Sequence, residues 1–351
     1  MGLFDDVLQS GQSLIRNEQA LDYEFLPKLL PFRENEQRYV ADCIKPLFQG
    51  RSGRNVLIHG MPGIGKTAAI RSVLRDLEEQ TDEIHVVYLN CWQHNTTYKV
   101  LLELCNQLGY KFTQNKNTTE LMKVVASICN KKAAVFAFDE VDKVEDFDFL
   151  YSVLEEIFKK TIVLLTNYKS WLLELDERIR SRLTPEMLEF RQYTPQETRE
   201  ILRQRSEIAF VPGVWQPDAF DLLCTRAAQV KDVRAGLFLL KNAAIEAESK
   251  SARQITIIHA QTSMTRMEEF FTKNKEDLED DTKRVLDLVN THPNKKIGEL
   301  FNLYQKGGGN GSYKTFQRKI ARLEQNRFIS VEKSGGGTGG NTTIIRRINE
   351  F

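Results

Sequence analysis

Cysteine is sparse and unpaired in this sequence: five residues in 351 (Cys43, Cys91, Cys105, Cys129 and Cys224), none in a CxxC pair. That spacing argues against a disulfide framework or a thiolate metal site and reads as buried free thiols in a reducing compartment. No apolar run approaches the roughly 20 residues of a membrane-spanning helix. The opening residues, Met1 to Asp6, carry no basic region of a signal peptide and no Ser or Thr at position 6 for myristoylation. A cytoplasmic protein with no membrane partner is expected.

Net charge is also nearly missing, at +1, but the balance hides an asymmetry. Residues 282–351 hold thirteen Lys or Arg against five Asp or Glu, a surplus of +8, and the remainder of the chain carries −7. A basic module on an acidic body points to a polyanionic partner for the tail. The length suggests two or three domains, each able to bury a core.

What the sequence does have is Gly60-Met61-Pro62-Gly63-Ile64-Gly65-Lys66-Thr67. It follows the apolar run Val56-Leu57-Ile58 and opens a segment of helical periodicity from Ala68 to about Leu77. Strand, glycine-rich loop and helix in that order form a phosphate-binding loop. The backbone through Gly60, Pro62, Gly63, Ile64, Gly65 and Ala68 lines the expected cradle, helped by the donors and dipole of the helix N-terminus. Lys66 is expected to reach the β- and γ-phosphates of ATP or ADP, and the Thr67 hydroxyl to ligate Mg²⁺.

Downstream, the continuous apolar run Ala133 to Phe138 ends in Asp139-Glu140-Val141-Asp142. A central parallel strand would deliver those acids to its C-terminal edge, where ligands bind in open α/β sheets. Asp139 is expected at the Mg²⁺ hydration shell and Glu140 beside the attacking water. Ile162 to Thr166 reads as another strand, ending on Asn167. Asn167 is either a turn former or an amide that orients water or senses the γ-phosphate. Arg178, Arg180 and Arg182 follow at alternate positions. From Pro195 to about Phe271 the pattern is all-helical, and Asp232 is placed to cap a helix that carries Arg234 in its first turn. Residues 3–15 show a short amphipathic helical pattern.

The basic tail reads as three helices, near 282–291, 297–305 and 312–326, and a hairpin whose tip is the glycine-rich stretch Gly335 to Gly340. That is a winged helix-turn-helix. On its third helix Phe316, Ile320 and Leu323 make an apolar face, while Lys314, Arg318 and Arg322 line up four apart on another. Such a helix fits a DNA major groove, with Ser312, Lys314, Thr315, Gln317, Arg318, Arg322 and, from the wing, Arg346 as expected contacts. Winged helices also serve as protein-docking modules.

With these residues in hand, the chain resembles the Orc1/Cdc6 family of AAA+ replication initiators, most closely the archaeal form. The resemblance runs from Leu29-Leu30-Pro31-Phe32-Arg33-Glu34 to the wing. Its specific part is the ordered set of the phosphate loop, acidic strand end, Asn167, Arg178 to Arg182, Lys231 to Arg234, and winged helix. It implies an α/β AAA+ domain with a parallel sheet (26–193, after an N-terminal segment 1–25), a helical lid (194–274) and a winged-helix domain (275–351). It implies that Phe32 and Arg33 lie near the adenine, that Asn167 is sensor 1 and Arg234 sensor 2, and that Glu140 serves hydrolysis. Arg182 becomes the first choice for an arginine finger acting on a neighbouring subunit's ATP, with Arg180 or Arg178 as alternatives. The helix after Cys91-Trp92 matches the initiator-specific insertion that touches DNA, here with Lys99 as its clearest cation. Lys231 stands where the family usually has glycine.

The function so implied is recognition of double-stranded origin DNA, with slow ATP hydrolysis as a switch and recruitment or loading of an MCM-like replicative helicase. Paralogues of the same family are expected partners, on the chromosome. Rival readings are a nucleotide-switched ATPase of transcription or signalling and a transposition-associated ATPase that coats DNA. A family member serving a mobile element is a third.

Overall fold

Buried β-branched and aromatic runs make a five-stranded sheet, all parallel, in the order β2-β3-β4-β1-β5. The strands are β1 (Val56–His59), β2 (Ile84–Asn90), β3 (Ala133–Asp139), β4 (Lys160–Thr166) and β5 (Glu186–Glu189). The computed structural model describes residues 13–27, 30–276, 280–309, 311–325, 328–334 and 342–347. The chain divides into two compact units, 1–260 and 261–351.

In the first unit the sheet is covered on both faces by α1 (Glu34–Ile44), α2 (Lys66–Gln80), α3 (Thr97–Gln107), α4 (Thr118–Cys129), α5 (Asp148–Glu156) and α6 (Glu177–Leu183). Strand alternation sorts the core into two layers. Leu57, Phe136, Phe138 and Leu164 face α3–α5, and Val56, Ile58, Val135 and Leu165 face α1 and α2. All seven residues of β3 are buried, as a central parallel strand requires. The strand order reverses at β1. The C-terminal ends of β1, β3 and β4 therefore lie side by side at the switch point, and each leads into one of the motifs read from the sequence.

Three helices complete the unit: α7 (Pro195–Ala209), α8 (Pro217–Val230) and α9 (Val233–Ser249). Thr194 and Glu197 form a capping box that starts α7, with Pro195 at the first helical position. All five cysteines are buried and free.

Three local expectations need correction. The helical pattern that starts at Glu34 runs on in sequence to about Phe48, but α1 ends at Ile44, because Pro46 has no N–H to continue the ladder and the chain tightens into a 3₁₀ turn, Lys45–Gln49. Of the expected N-terminal amphipathic helix, residues 1–12 lie outside the described residues. From Ser13 the chain is no α-helix: Ile15 bridges to Phe210, and a 3₁₀ turn, Glu18–Leu21, packs beside α7 and α9. Buried Arg205 fixes this segment by donating to the carbonyls of Ala20, Asp22 and Phe25, at 2.5, 2.6 and 3.2 Å. Finally, Arg178, Arg180 and Arg182 lie on a helix, α6, so Arg178 and Arg182 share a face that Arg180 does not.

The α10 helix (Ile257–Glu276) crosses into the second unit, which holds α11 (Asp280–Thr291), β6 (Lys295–Lys296), α12 (Ile297–Lys306), α13 (Tyr313–Gln325), β7 (Ile329–Ser334) and β8 (Thr342–Arg347). Its antiparallel sheet has the order β6-β8-β7. Val285, Leu300, Tyr304, Phe316, Ile320, Leu323 and Ile345 form the core of the winged helix-turn-helix. The glycine-rich wing tip, 335–340, lies outside the described residues. No helix among the described residues is long and apolar enough to cross a membrane.

Candidate nucleotide-binding site

The loop between β1 and α2 turns through left-handed backbone at Gly63 (φ 75°) and Gly65 (φ 84°), conformations that glycine adopts without strain. Close approach adds to the requirement. A Cβ at Gly63 would overlap the Asp232 carboxylate, and one at Gly65 would meet the Tyr193 hydroxyl at 2.7 Å. Gly65 caps α2 without a side-chain bond, which leaves the first-turn N–H groups aimed into the loop.

Lys66 opens α2 and is buried. Its Nζ donates to the carbonyls of Gly60 (2.7 Å) and Met61 (2.9 Å) and to Asn167 Oδ1 (2.9 Å). Asn167 is thus brought from the end of β4 onto the phosphate-loop lysine. Burial pulls the Lys66 ammonium down to about 8, against the opposing field of Asp139.

Asp139, at the end of β3, is almost fully buried and is an acceptor on both oxygens. Oδ2 accepts from the Thr67 hydroxyl (2.6 Å) and the Tyr88 hydroxyl (2.7 Å), and Oδ1 from the Glu140 N–H (2.9 Å). One hydroxyl beside one carboxylate is the donor set that Mg²⁺ takes together with phosphate oxygens and water. Among the described residues no group of three or more His, Cys, Asp or Glu forms a self-sufficient cage. The residues present fit the ion in its nucleotide-bound form.

Glu140 follows at φ 52°, ψ 43°, left-handed for a non-glycine residue. Strain of this kind, about 1–3 kcal/mol, concentrates at functional sites. Its charge is felt at both Lys66 and Arg234. Asp142 ties this turn to β4 by accepting from Thr166 Oγ1 at 3.0 Å.

The corner between α8 and α9 lands on the loop. Lys231 ends α8 at φ 58°, the conformation that accounts for a glycine preference there. Asp232 Oδ1 caps α9 by accepting the Arg234 N–H at 2.9 Å, and Oδ2 accepts from Arg234 Nη2 at 2.6 Å. The Val233 N–H donates to the Gly63 carbonyl at 3.3 Å. Burial disfavours the Arg234 charge, but the Asp232 bonds outweigh it and its pKa is raised.

Phe32 is half-buried at φ 65° and lines a cleft of about 490 Å³ with Glu34, Glu36, Glu189, Arg191 and Glu197. Arg33 is fully buried, and its guanidinium is spent within the protein. It donates to the carbonyls of Ile64 (3.0 Å) and Arg191 (2.6 Å) and to Glu36 (2.8 Å), and stacks 4.0 Å from the Tyr193 ring centroid. Arg33 therefore clamps the phosphate loop to the start of the helical region. Of the arginines on α6, Arg178 pairs with Asp176 and Arg182 with Glu155, while Arg180 makes no ion pair with a described residue.

In the second unit Lys314, Gln317 and Arg318 are exposed on α13. Ser312 Oγ caps the helix by accepting the Thr315 N–H at 3.2 Å, and Lys319 is consumed by Asp281. Arg346 is exposed on β8, and the Arg322 side chain lies outside the described residues. Sequence reasoning missed Tyr88 and Tyr193. The only signal for Tyr88 was a hydroxyl-bearing residue within the apolar stretch Val86 to Leu89 of β2.

The geometry is that of an AAA+ ATPase, and the comparisons agree. A model of the AAA ATPase domain matches residues 29–178, and a model of the Cdc6 AAA+ ATPase-type lid domain matches residues 199–264. The ORC1-type DNA replication protein 1 of Sulfurisphaera tokodaii is 29% identical over 83% of this chain and 74% of its own length. The chain thus carries an AAA ATPase domain and a Cdc6-type lid domain, and it is similar to the Orc1/Cdc6 proteins. A second Orc1/Cdc6 relative, the ORC1-type DNA replication protein 2 of Methanosarcina acetivorans, is 25% identical over 97% of this chain and 95% of its own. Among solved structures, the Aeropyrum pernix ORC1 protein in complex with DNA superposes with a TM-score of 0.72 at 25% identity, over 96% of this chain and 94% of that one. The Cdc6-type lid model covers most of α7–α9, so the corner bearing Asp232 and Arg234 is the lid's contact with the phosphate loop.

Proposed function

We propose that this Orc1/Cdc6-like protein recognises double-stranded origin DNA through its winged helix and uses ATP, with Mg²⁺, as the switch that starts replication. The observation that carries the reading is the meeting of Lys66, Asn167, Asp139, Glu140 and Arg234 around one glycine loop. A γ-phosphate placed there exchanges Lys66's carbonyl partners for phosphate oxygens and competes with Asp232 for Arg234. The lid corner, bonded to Gly63, then responds to whether ATP or ADP is bound. Mg²⁺, held through Thr67 and Asp139, would neutralise phosphate charge; Glu140 polarises the attacking water.

Lys314 and Arg318, exposed on α13, are the leading DNA contacts, and Ser312, Thr315, Gln317, Arg322 and Arg346 complete the proposed set. The name of the S. tokodaii relative and the DNA complex of the A. pernix protein support this assignment. DNA-bound protein then recruits or loads an MCM-like helicase, with paralogues as neighbours. The arginine finger lies on α6. Arg182 reaches a neighbouring ATP only after releasing Glu155, whereas Arg180 has no ion pair with a described residue to break.

Comparing duplex binding of wild type, Lys66→Ala and Arg318→Ala, each with ATP and ADP, tests the proposal. DNA binding that depends on Arg318 and differs between nucleotides supports it. Binding that neither variant changes sinks it.

A further inference from the structure

The geometry points to Tyr88 as a positioning residue for the divalent-cation site, acting through the Asp139 carboxylate. Tyr88 stands on β2, the edge strand beside β3, paired in register with Ala137 two residues before the acidic end. Its half-buried side chain lies on the sheet face covered by α1 and α2 and sends its hydroxyl to Asp139 Oδ2 at 2.7 Å. The same oxygen accepts from Thr67 Oγ1, while Oδ1 is anchored by the Glu140 N–H. The carboxylate is therefore fixed from three directions, by α2, by β2 and by its own turn.

This inference rests on the reading of Thr67 and Asp139 as the cation's protein partners. When the Thr67 oxygen turns a lone pair to a metal, its proton still goes to Asp139, so the angle of that carboxylate sets the angle of the hydroxyl. Tyr88 is the only other side chain among the described residues that is hydrogen-bonded to Asp139. The ring itself is held. Arg71, one turn after Thr67 on α2, is half-buried, makes no ion pair with a described residue and lies over the Tyr88 ring, 5.6 Å from its centroid. Partners that orient a metal's ligands commonly change metal affinity about 10- to 100-fold when removed.

The test is the Mg²⁺ dependence of nucleotide binding, not turnover. Nucleotide-stripped full-length wild type, Tyr88→Phe and Asp139→Asn are titrated with a fluorescent ADP across a range of free Mg²⁺ and in EDTA. Tyr88→Phe keeps the ring and its packing. The expected result is a Mg²⁺ midpoint at least about tenfold higher than wild type, with the affinity in EDTA unchanged. A wild-type midpoint in Tyr88→Phe, with Asp139→Asn shifted, overturns the role of Tyr88 alone. A wild-type midpoint in Asp139→Asn overturns the cation-site reading and the inference with it. Equal losses with and without Mg²⁺ in Tyr88→Phe make it a packing residue and also overturn the inference.

Discussion

The Asp232 carboxylate lies against the α-carbon of Gly63 while it holds the Arg234 guanidinium. The lid and the phosphate loop thus meet through a negative charge placed where a nucleotide brings more. Asp232 is at once the N-cap of α9 and the resting counter-ion of Arg234. Asp232→Asn keeps a capping oxygen and removes the charge. It should tighten ATP relative to ADP several-fold by freeing Arg234 for the γ-phosphate. Parallel titrations of both nucleotides check this, and an unchanged ATP-to-ADP ratio removes Asp232 from the switch.

Lys66→Ala should lose nucleotide affinity by about 2–5 kcal/mol, the scale for truncating a buried charge-assisted partner. Equilibrium binding of fluorescent ATP measures it. Affinity within twofold of wild type would refute the phosphate-loop assignment.

The depressed Lys66 ammonium gives a pH signature. The unfolded chain binds this proton more tightly than the nucleotide-free fold, so the burial penalty is fully present below about pH 8. It lifts as pH rises from there toward the ordinary lysine value. Nucleotide phosphates reverse the bias by restoring the higher pKa, so binding above pH 8 requires proton uptake. Affinity should fall by up to about tenfold per pH unit there, and Lys66→Ala should be flat. Calorimetry in two buffers of different ionisation enthalpy reads the proton directly.

Glu140→Gln should bind ATP normally and hydrolyse it at least about 10²-fold more slowly. Single-turnover hydrolysis measures this, and wild-type turnover would take Glu140 out of the mechanism. On α6, Arg180→Ala and Arg182→Ala should differ: only the finger residue loses hydrolysis that depends on protein concentration.

Much of this site was legible because its motifs are local. Gly60 to Thr67 declares a loop by glycine spacing, and Ala133 to Glu140 declares a buried strand ending in acids. The winged helix was legible from Phe316, Ile320 and Leu323 against Lys314 and Arg318. What stayed hidden is made by contacts distant in sequence. The resemblance puts Arg33 near the adenine, and sequence gives no sign that its donors are consumed by Ile64, Glu36 and Arg191. Arg205 looks like one surface arginine among several on α7, but it is buried and holds three carbonyls of the N-terminal segment. Strand β6 is two lysines long, too short for any period. Tyr88 reads as a core aromatic because only the register of β2 on β3 brings it to Asp139.

The most direct test of the central claim is a footprint on fragments of the source organism's own genome, at physiological salt, with ATP, ADP or no nucleotide. A discrete protected site is predicted, with occupancy that differs between ATP and ADP. Arg318→Ala should weaken it by about 1–3 kcal/mol with relaxed specificity if that side chain reads a base. Protection that spreads along any sequence with ATP, or no protection in any nucleotide state, would contradict the account.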